Sequence, residues 1–188
     1  MSNPILLDFP DQIESERLII RAPRFGDGAA IVEAIRESID ELRPWMPWAQ
    51  DVPTVESAEE SIRRAAALFM TREDLRMNMY RKSDGLFVGG SGLHRFDWSV
   101  PRFEIGYWVR TSLQGQGYVT EMVKALTAFC FDTLGAKRME IHCDARNTRS
   151  YAVAERAGYT LEARLRHHAR DVYGELSDTL IYAKFPEG

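Results

Sequence analysis

Only two of the 188 residues are cysteines, Cys130 and Cys143, too few for a disulfide framework and without the paired spacing of a metal knuckle. A reducing, cytoplasmic setting is therefore expected. No apolar run approaches the ~18 residues needed to span a bilayer. The segment from Met1 to Gln12 carries acids where a secretory leader carries a basic stretch, so neither export nor membrane insertion is expected. A basic excess is also missing: 24 Lys and Arg stand against 28 Asp and Glu, which argues against direct binding of nucleic acid. Internal repeats, low-complexity tracts and linkers are absent. At roughly 150 residues per domain, the length suits one domain over 1–188, with 1–13 as an N-terminal tail. Hydrophobic residues make up 45% of the chain, enough for a sizeable core.

Periodicity orders the elements. Arg17 to Arg21 reads as a strand stopped by Pro23 and Gly26. Asp27 is expected to cap a helix with Ala30, Ile31, Ala34 and Ile35 on its apolar face. The prolines in Pro44-Trp45-Met46-Pro47-Trp48 exclude regular helix there. A second helix is expected from Ser57, with Glu60 closing a capping box. Met77 to Lys82, Leu86 to Leu93 and Arg102 to Val109 follow as three strands, the first two joined by an Asp84-Gly85 turn. The most regular helix carries Val119, Met122, Val123, Leu126, Phe129, Cys130 and Leu134 on one face and stops at Gly135. Lys137 to Cys143 is a strand, Asn147 to Ala157 a short helix, and Tyr159 to Leu165 and Leu176 to Phe185 are closing strands. Antiparallel strands followed by a strand-helix-strand crossover predict an α+β (mixed α/β) protein, a mixed sheet with helices on it.

Chemistry concentrates at Gln114-Gly115-Gln116-Gly117-Tyr118, where a strand reaches two glycines and the regular helix begins. Glycines let backbone N–H groups converge, and a helix N-terminus adds unpaired donors and about half a positive charge. Such a loop suits phosphate, although an ordinary turn reads the same way. GxxxxGK[ST] does not occur, and the third glycine of a dinucleotide fingerprint is missing.

This loop and Val119-Thr120-Glu121 resemble the acetyl-coenzyme A motif of the GNAT acetyltransferases. Asn147-Thr148-Arg149-Ser150, running to Gly158-Tyr159, resembles the second signature of that family. Leu42-Arg43-Pro44-Trp45, Gly92-Leu93-His94, Glu104-Ile105-Gly106-Tyr107-Trp108 and Ser177-Asp178-Thr179 are similar to the ribosomal-protein N-terminal acetyltransferase branch, the RimJ/RimL type. The resemblance covers roughly residues 14 to 185. It implies a twisted, mostly antiparallel sheet of about seven strands flanked by about four helices. It implies acetyl-CoA as cosubstrate and no metal. The pyrophosphate would lie on the amides of Gln116, Gly117, Val119 and Thr120, with Gln114, Gly115 and Tyr118 also in the cofactor site, and the pantetheine on Tyr107, Trp108, Val109 and Asn147. Two departures stand out. Val119 occupies a position usually held by Gly or Ala. Ala154 occupies that of a tyrosine which in many members protonates the departing thiolate. Ser150 matches the serine thought to serve that step in the ribosomal-protein branch, and Tyr151 lies nearby.

Acetyl transfer to an amine needs a free lone pair, a polarised carbonyl and a proton for the thiolate. Glu104 and His94 are candidate bases, and each also reads as a plain strand residue. His142 is assigned to the scaffold, and its neighbour Cys143 gives no ligand spacing for zinc. Trp45 and Trp48 are either a substrate wall or core, His94 is also placed at the substrate, and His167-His168 lies in a basic stretch that is a further candidate contact. An α-amine has a pKa of about 7.7–8.0 against about 10.4 for lysine, a gap worth about 3.4 kcal/mol. A site without a strong base therefore favours a protein or peptide N-terminus. A small amine, and a non-catalytic acyl-CoA-binding module, are the alternatives. The sequence leaves the oligomeric state open, a homodimer included.

Overall fold

The computed structural model describes residues 3–187. Eight strands form one sheet: β1 Gln12–Glu14, β2 Leu18–Arg21, β3 Leu75–Arg81, β4 Phe87–Asp97, β5 Arg102–Val109, β6 Arg138–Asp144, β7 Thr160–Arg170 and β8 Leu176–Lys184. Their order is β1-β2-β3-β4-β5-β6-β8-β7. Every pairing is antiparallel except β5 with β6. The helices are α1 Gly28–Leu42, α2 Val55–Thr71, α3 Tyr118–Asp132 and α4 Thr148–Arg156. None among the described residues is long and apolar enough to cross a membrane.

The eighth strand corrects the expected seven. Gln12 and Ile13 pair with Arg21 and Ile20, so the supposed tail adds an edge strand, too short to show an alternating pattern. Two expected helix starts also move. Asp27 makes no capping bond; its carboxylate turns back to the Arg24 amide and the Arg21 guanidinium. α2 begins at Val55, two residues before Ser57, because Thr54 accepts from the Ser57 amide and is the cap, while Glu60 pairs with Arg64. β7 runs longer than expected, through the basic stretch to Arg170, while β8 keeps nearly its expected span.

Both sheet faces are covered. α3 and α4 lay Val123, Leu126, Cys130 and Val153 against Met77, Phe103, Ile105 and Met139. α1 and α2 pack Ile31, Ala34, Ile35 and Ile62 on Phe87 across the opposite face. Truncating one such buried Leu, Ile or Met to Ala costs about 2–5 kcal/mol. These two layers fix β5 and β6 between them, and there the sheet opens.

Candidate active site

β5 and β6 pair only at Arg102–Arg138, Phe103–Met139 and Glu104–Glu140. Beyond Glu104, β5 stays paired with β4 as far as Val109, and β6 stays paired with β8 as far as Asp144. The two parallel strands thus part like a V. The Arg110 amide donates to Val88 of β4, and strand groups alternate in direction, so the amides of Tyr107 and Val109 face the gap. Among the described residues, no strand pairs with them on that side. A cavity of about 710 Å³ joins this gap to the α1/α2 face.

At the end of β5 the chain is strapped to α1. Arg110, buried, pairs with Glu33 and Glu37; the Ser112 amide donates to Glu37, and the Thr111 amide to Ser38 Oγ at 2.9 Å. The glycine loop follows. Gly115 and Gly117 have φ of +74° and +82°, a region a side chain enters only at a cost, and Gly117 is the residue before α3. The first intrahelical bond reaching Gly117 comes from Glu121, so the amides of Tyr118, Val119 and Thr120 have no helical acceptor. Val119 turns its side chain into the core, which removes the crowding its bulk would otherwise cause. Free amides at a helix N-terminus are suited to an anion. Gln114 is tied to α4 through Arg149, and the Gln116 side chain folds back on the Ser112 carbonyl.

Arg17 holds the loop from behind, a role the sequence reading missed. Its Nη1 donates to the Gln116 carbonyl at 3.0 Å, its guanidinium lies 4.4 Å from the Tyr118 ring centre, and it pairs with Glu121 at 2.7 Å. Burial opposes ionisation of Glu121, but bonds from Ser15, the Arg17 amide and the Arg17 side chain hold its pKa below the ordinary value. An acid in the first turn of α3 was the available signal.

Across the gap, Asn147 caps α4 by accepting from the Ser150 amide at 3.1 Å, and both residues line the cavity. The Tyr107 hydroxyl donates to the Ser150 carbonyl at 2.9 Å, and Ser150 Oγ lies 3.3 Å from the same hydroxyl. Tyr107 therefore brings a side chain as well as its backbone to the gap. Burial raises its pKa, so it stays protonated. Ala154 is fully buried, and Tyr151 packs against the core rather than into the cavity. Cys143 also lines the cavity, its thiol pushed by burial up to about 11. A thiol so protonated at neutral pH is a poor nucleophile.

His94 and Glu104 sit opposite each other on β4 and β5. His94 Nδ1 lies 2.7 Å from Asp74 Oδ2. Its ring lies over a glycine pair: a Cβ on Gly92 would come within 2.9 Å of Nε2, and one on Gly106 within 3.1 Å of Cδ2. Glu104 is buried and gripped through both oxygens by Arg95, with His142 Nδ1 at 3.4 Å. His142, read as scaffold from the sequence, lines the cavity, with its Nε2 on Glu140 at 2.7 Å.

One wall of the cavity is aromatic. Trp45 and Trp48 line the cavity and are 36% and 51% exposed, so neither is core. Trp48 lies 5.8 Å from Trp108, which in turn packs on Phe87 at 5.6 Å. Gly90 makes room for Trp108: a Cβ there would stand 2.4 Å from the indole Nε1. His167 and His168 are exposed on β7 and do not line this cavity.

A sheet parted between parallel strands, with free strand amides in the gap and an anion nest at one strand's end, is built for an extended, phosphate-bearing thioester. That arrangement defines a coenzyme A-dependent acyltransferase. The acetyltransferase (GNAT) domain family matches residues 17–160. The chain belongs to this family and is an acetyl-CoA-dependent N-acetyltransferase. It is 28% identical over 156 residues to the ribosomal-protein-serine acetyltransferase of Escherichia coli (strain K12), covering 81% of this chain and 86% of that protein. Its fold is that of the microcin C7 self-immunity acetyltransferase MccE solved with acetyl-CoA and AMP, with a TM-score of 0.87, 24% identity, and 95% and 98% of the two chains covered. The ribosomal L7/L12 α-N-protein acetyltransferase RimL in complex with coenzyme A gives a TM-score of 0.83 at 23% identity, over 93% and 97%.

Proposed function

We propose that the chain, acting as one domain, acetylates the α-amine of a protein or peptide N-terminus by direct transfer within a ternary complex. The observation that carries this reading is the juxtaposition of the parted strands with His94, whose Nδ1 is taken by Asp74. A carboxylate at Nδ1 fixes the proton there and leaves Nε2 with the lone pair, ready to accept a proton from an amine. Glu104 is less available, since Arg95 occupies both of its oxygens. An α-amine asks less of a base than a lysine, which is about 2.5 pKa units more basic.

Gln114 to Thr120 and Asn147 would hold acetyl-CoA, which supplies an acyl group already activated as a thioester. Trp108 stands beside the strand amides as part of the wall. The amides of Tyr107 and Val109 are positioned to donate to a carbonyl oxygen that gains negative charge, an oxyanion arrangement. Ser150 Oγ is the proton source for the leaving thiolate, held in place by the Tyr107 hydroxyl. Trp45 and Trp48 form the wall against which the acceptor lies. The name of the Escherichia coli relative supports a ribosomal-protein acceptor.

A small amine is the second reading, favoured by the exposed tryptophan wall and by the AMP in the MccE complex. The test is thiol release from acetyl-CoA with unblocked peptides, the same peptides with blocked N-termini, and small amines. Release that blocking abolishes is the expected result. Release with small amines alone would replace the peptide reading, and binding without any release would replace catalysis.

A further inference from the structure

Among the described residues, Arg76 is the arginine of the acceptor cavity that forms no ion pair. It lines the cavity from β3, half-buried, and donates from Nη1 to Ser61 Oγ on α2 at 3.1 Å. Nearby acids are already committed. Asp74 is bound to His94, Asp27 to Arg21 and the Arg24 amide, and Glu104 to Arg95. Four of the five guanidinium N–H groups are thus without a protein acceptor among the described residues. Burial lowers the Arg76 pKa, and the charges of Asp74 and Asp27 do not reverse it. The paired Arg95, also at the cavity, shifts upward through its bond to Glu104.

None of the Arg76 nitrogens is a sealed orphan: those without a protein partner reach the surface of the cavity, where they can meet a ligand. The α2 surface beside it is kept low by Ser57, Ala58 and Ser61, all lining the cavity. Space and donors therefore meet at the end of the cavity that adjoins His94, whose ring lies across Gly92, itself opposite Arg76. Guanidinium donors in that state fit a planar oxyanion in two-pronged fashion.

We infer that Arg76, set by Ser61, is an oxyanion subsite, so that the preferred acceptor carries a carboxylate or phosphate within a few bonds of the amine that is acetylated. For a peptide, this means an acidic or phosphorylated residue among the first three. The inference rests on the acetyl-transfer reading above and narrows its substrate class.

The experiment compares hexapeptides with Asp, Asn, phosphoserine, Ser or Lys at position 2 or 3, at saturating acetyl-CoA. Expected is an advantage of tenfold or more in kcat/KM for an oxyanion over its neutral counterpart, mainly through KM; Asp against phosphoserine identifies which oxyanion fits. In Arg76→Met, checked for folding by circular dichroism, the charged and neutral peptides converge. Arg76→Lys keeps part of the advantage, and Arg76→Glu favours the Lys peptide. Equal rates for Asp, phosphoserine and their neutral counterparts in the unaltered enzyme, or an advantage that survives in Arg76→Met, would overturn the subsite. If no peptide is acetylated, the peptide reading fails separately. Calorimetric binding of the same peptides to the coenzyme A-loaded protein then decides, and affinity independent of the oxyanion refutes the inference.

Discussion

Asp74 Oδ2 and His94 Nδ1 lie 2.7 Å apart because the sheet register brings them together. Leu75 pairs with Leu93, so the residue before β3 falls beside the residue after Leu93. α2 ends at Thr71, and Arg72 after it, with a φ of +64°, turns the chain back so that β3 begins at Leu75. If Asp74 acts by orienting His94, the two side chains behave as one unit. Asp74→Asn and His94→Gln should each lower kcat by roughly 10²-fold, the low end of general-base contributions. The double variant should fall little further than His94→Gln alone. Losses that multiply would mean that Asp74 acts independently of the imidazole.

Gly117 supplies the nest with an amide at a φ of +82° and no side chain. Gly117→Ala meets mainly the left-handed strain of about 1–2 kcal/mol, whereas Gly117→Glu adds a carboxylate where a pyrophosphate would sit. Acetyl-CoA affinity should fall less than tenfold in the first and a hundredfold or more in the second, read by calorimetry. Similar affinities for the two variants would remove the loop from phosphate binding.

Arg17 and Glu121 join the start of β2 to the first turn of α3, and their titration has a definite sign. The Glu121 pKa is lowered in the folded chain, so its contribution is fully present above its ordinary value of 4.5 and disappears as pH falls through the folded value. Glu121→Gln should cost about 2 kcal/mol of unfolding free energy at pH 7, with the gap to the unaltered protein closing below about pH 4. A gap independent of pH across that range would show that packing, not charge, is lost.

Much of this was legible in the sequence where the physics is local. The α3 face, the Asn147 cap and the glycine loop are signals carried by neighbouring residues, and β5 occupies the expected span. Contacts between distant residues left no such signal. Arg17 reaches Gln116 and Glu121 across about a hundred residues, and Asp74 meets His94 through strand pairing. The two tryptophans were ambiguous because a wall and a core share the same composition. Only exposure separates them, and both line the cavity. Capping misled at Asp27 and Ser57, since Arg21 and Arg24 took the first side chain and Thr54 served in place of the second.

Gly90 leaves the space that the Trp108 indole occupies beside β4. A Cβ at that position would stand 2.4 Å from the indole Nε1, and a β5 strand indole packed between Phe87 and Trp48 has little room to yield. Gly90→Ala should destabilise the fold by about 1–3 kcal/mol and raise the acceptor KM while leaving acetyl-CoA affinity within about twofold. An unchanged acceptor KM would indicate that the tryptophan wall does not touch the acceptor.

Tyr107 and Ser150 test the exit of the thiolate. The phenol donates to the Ser150 carbonyl, so its proton is engaged, while the serine proton points back to the phenol oxygen at 3.3 Å, a long and weak bond. Ser150 is thus the group free to turn toward a departing sulfur, and Tyr107 holds the α4 turn in register. Ser150→Ala should lower kcat by roughly tenfold to a hundredfold with acetyl-CoA affinity nearly unchanged. Tyr107→Phe keeps the strand amide but loses the bond to Ser150, and should lower kcat by a smaller factor. A thioester with a less basic leaving thiol needs less help from an acid, so it should restore much of the rate in Ser150→Ala. If the better leaving group gives no such rescue, the proton comes from elsewhere, and Ser150 serves only the first turn of α4.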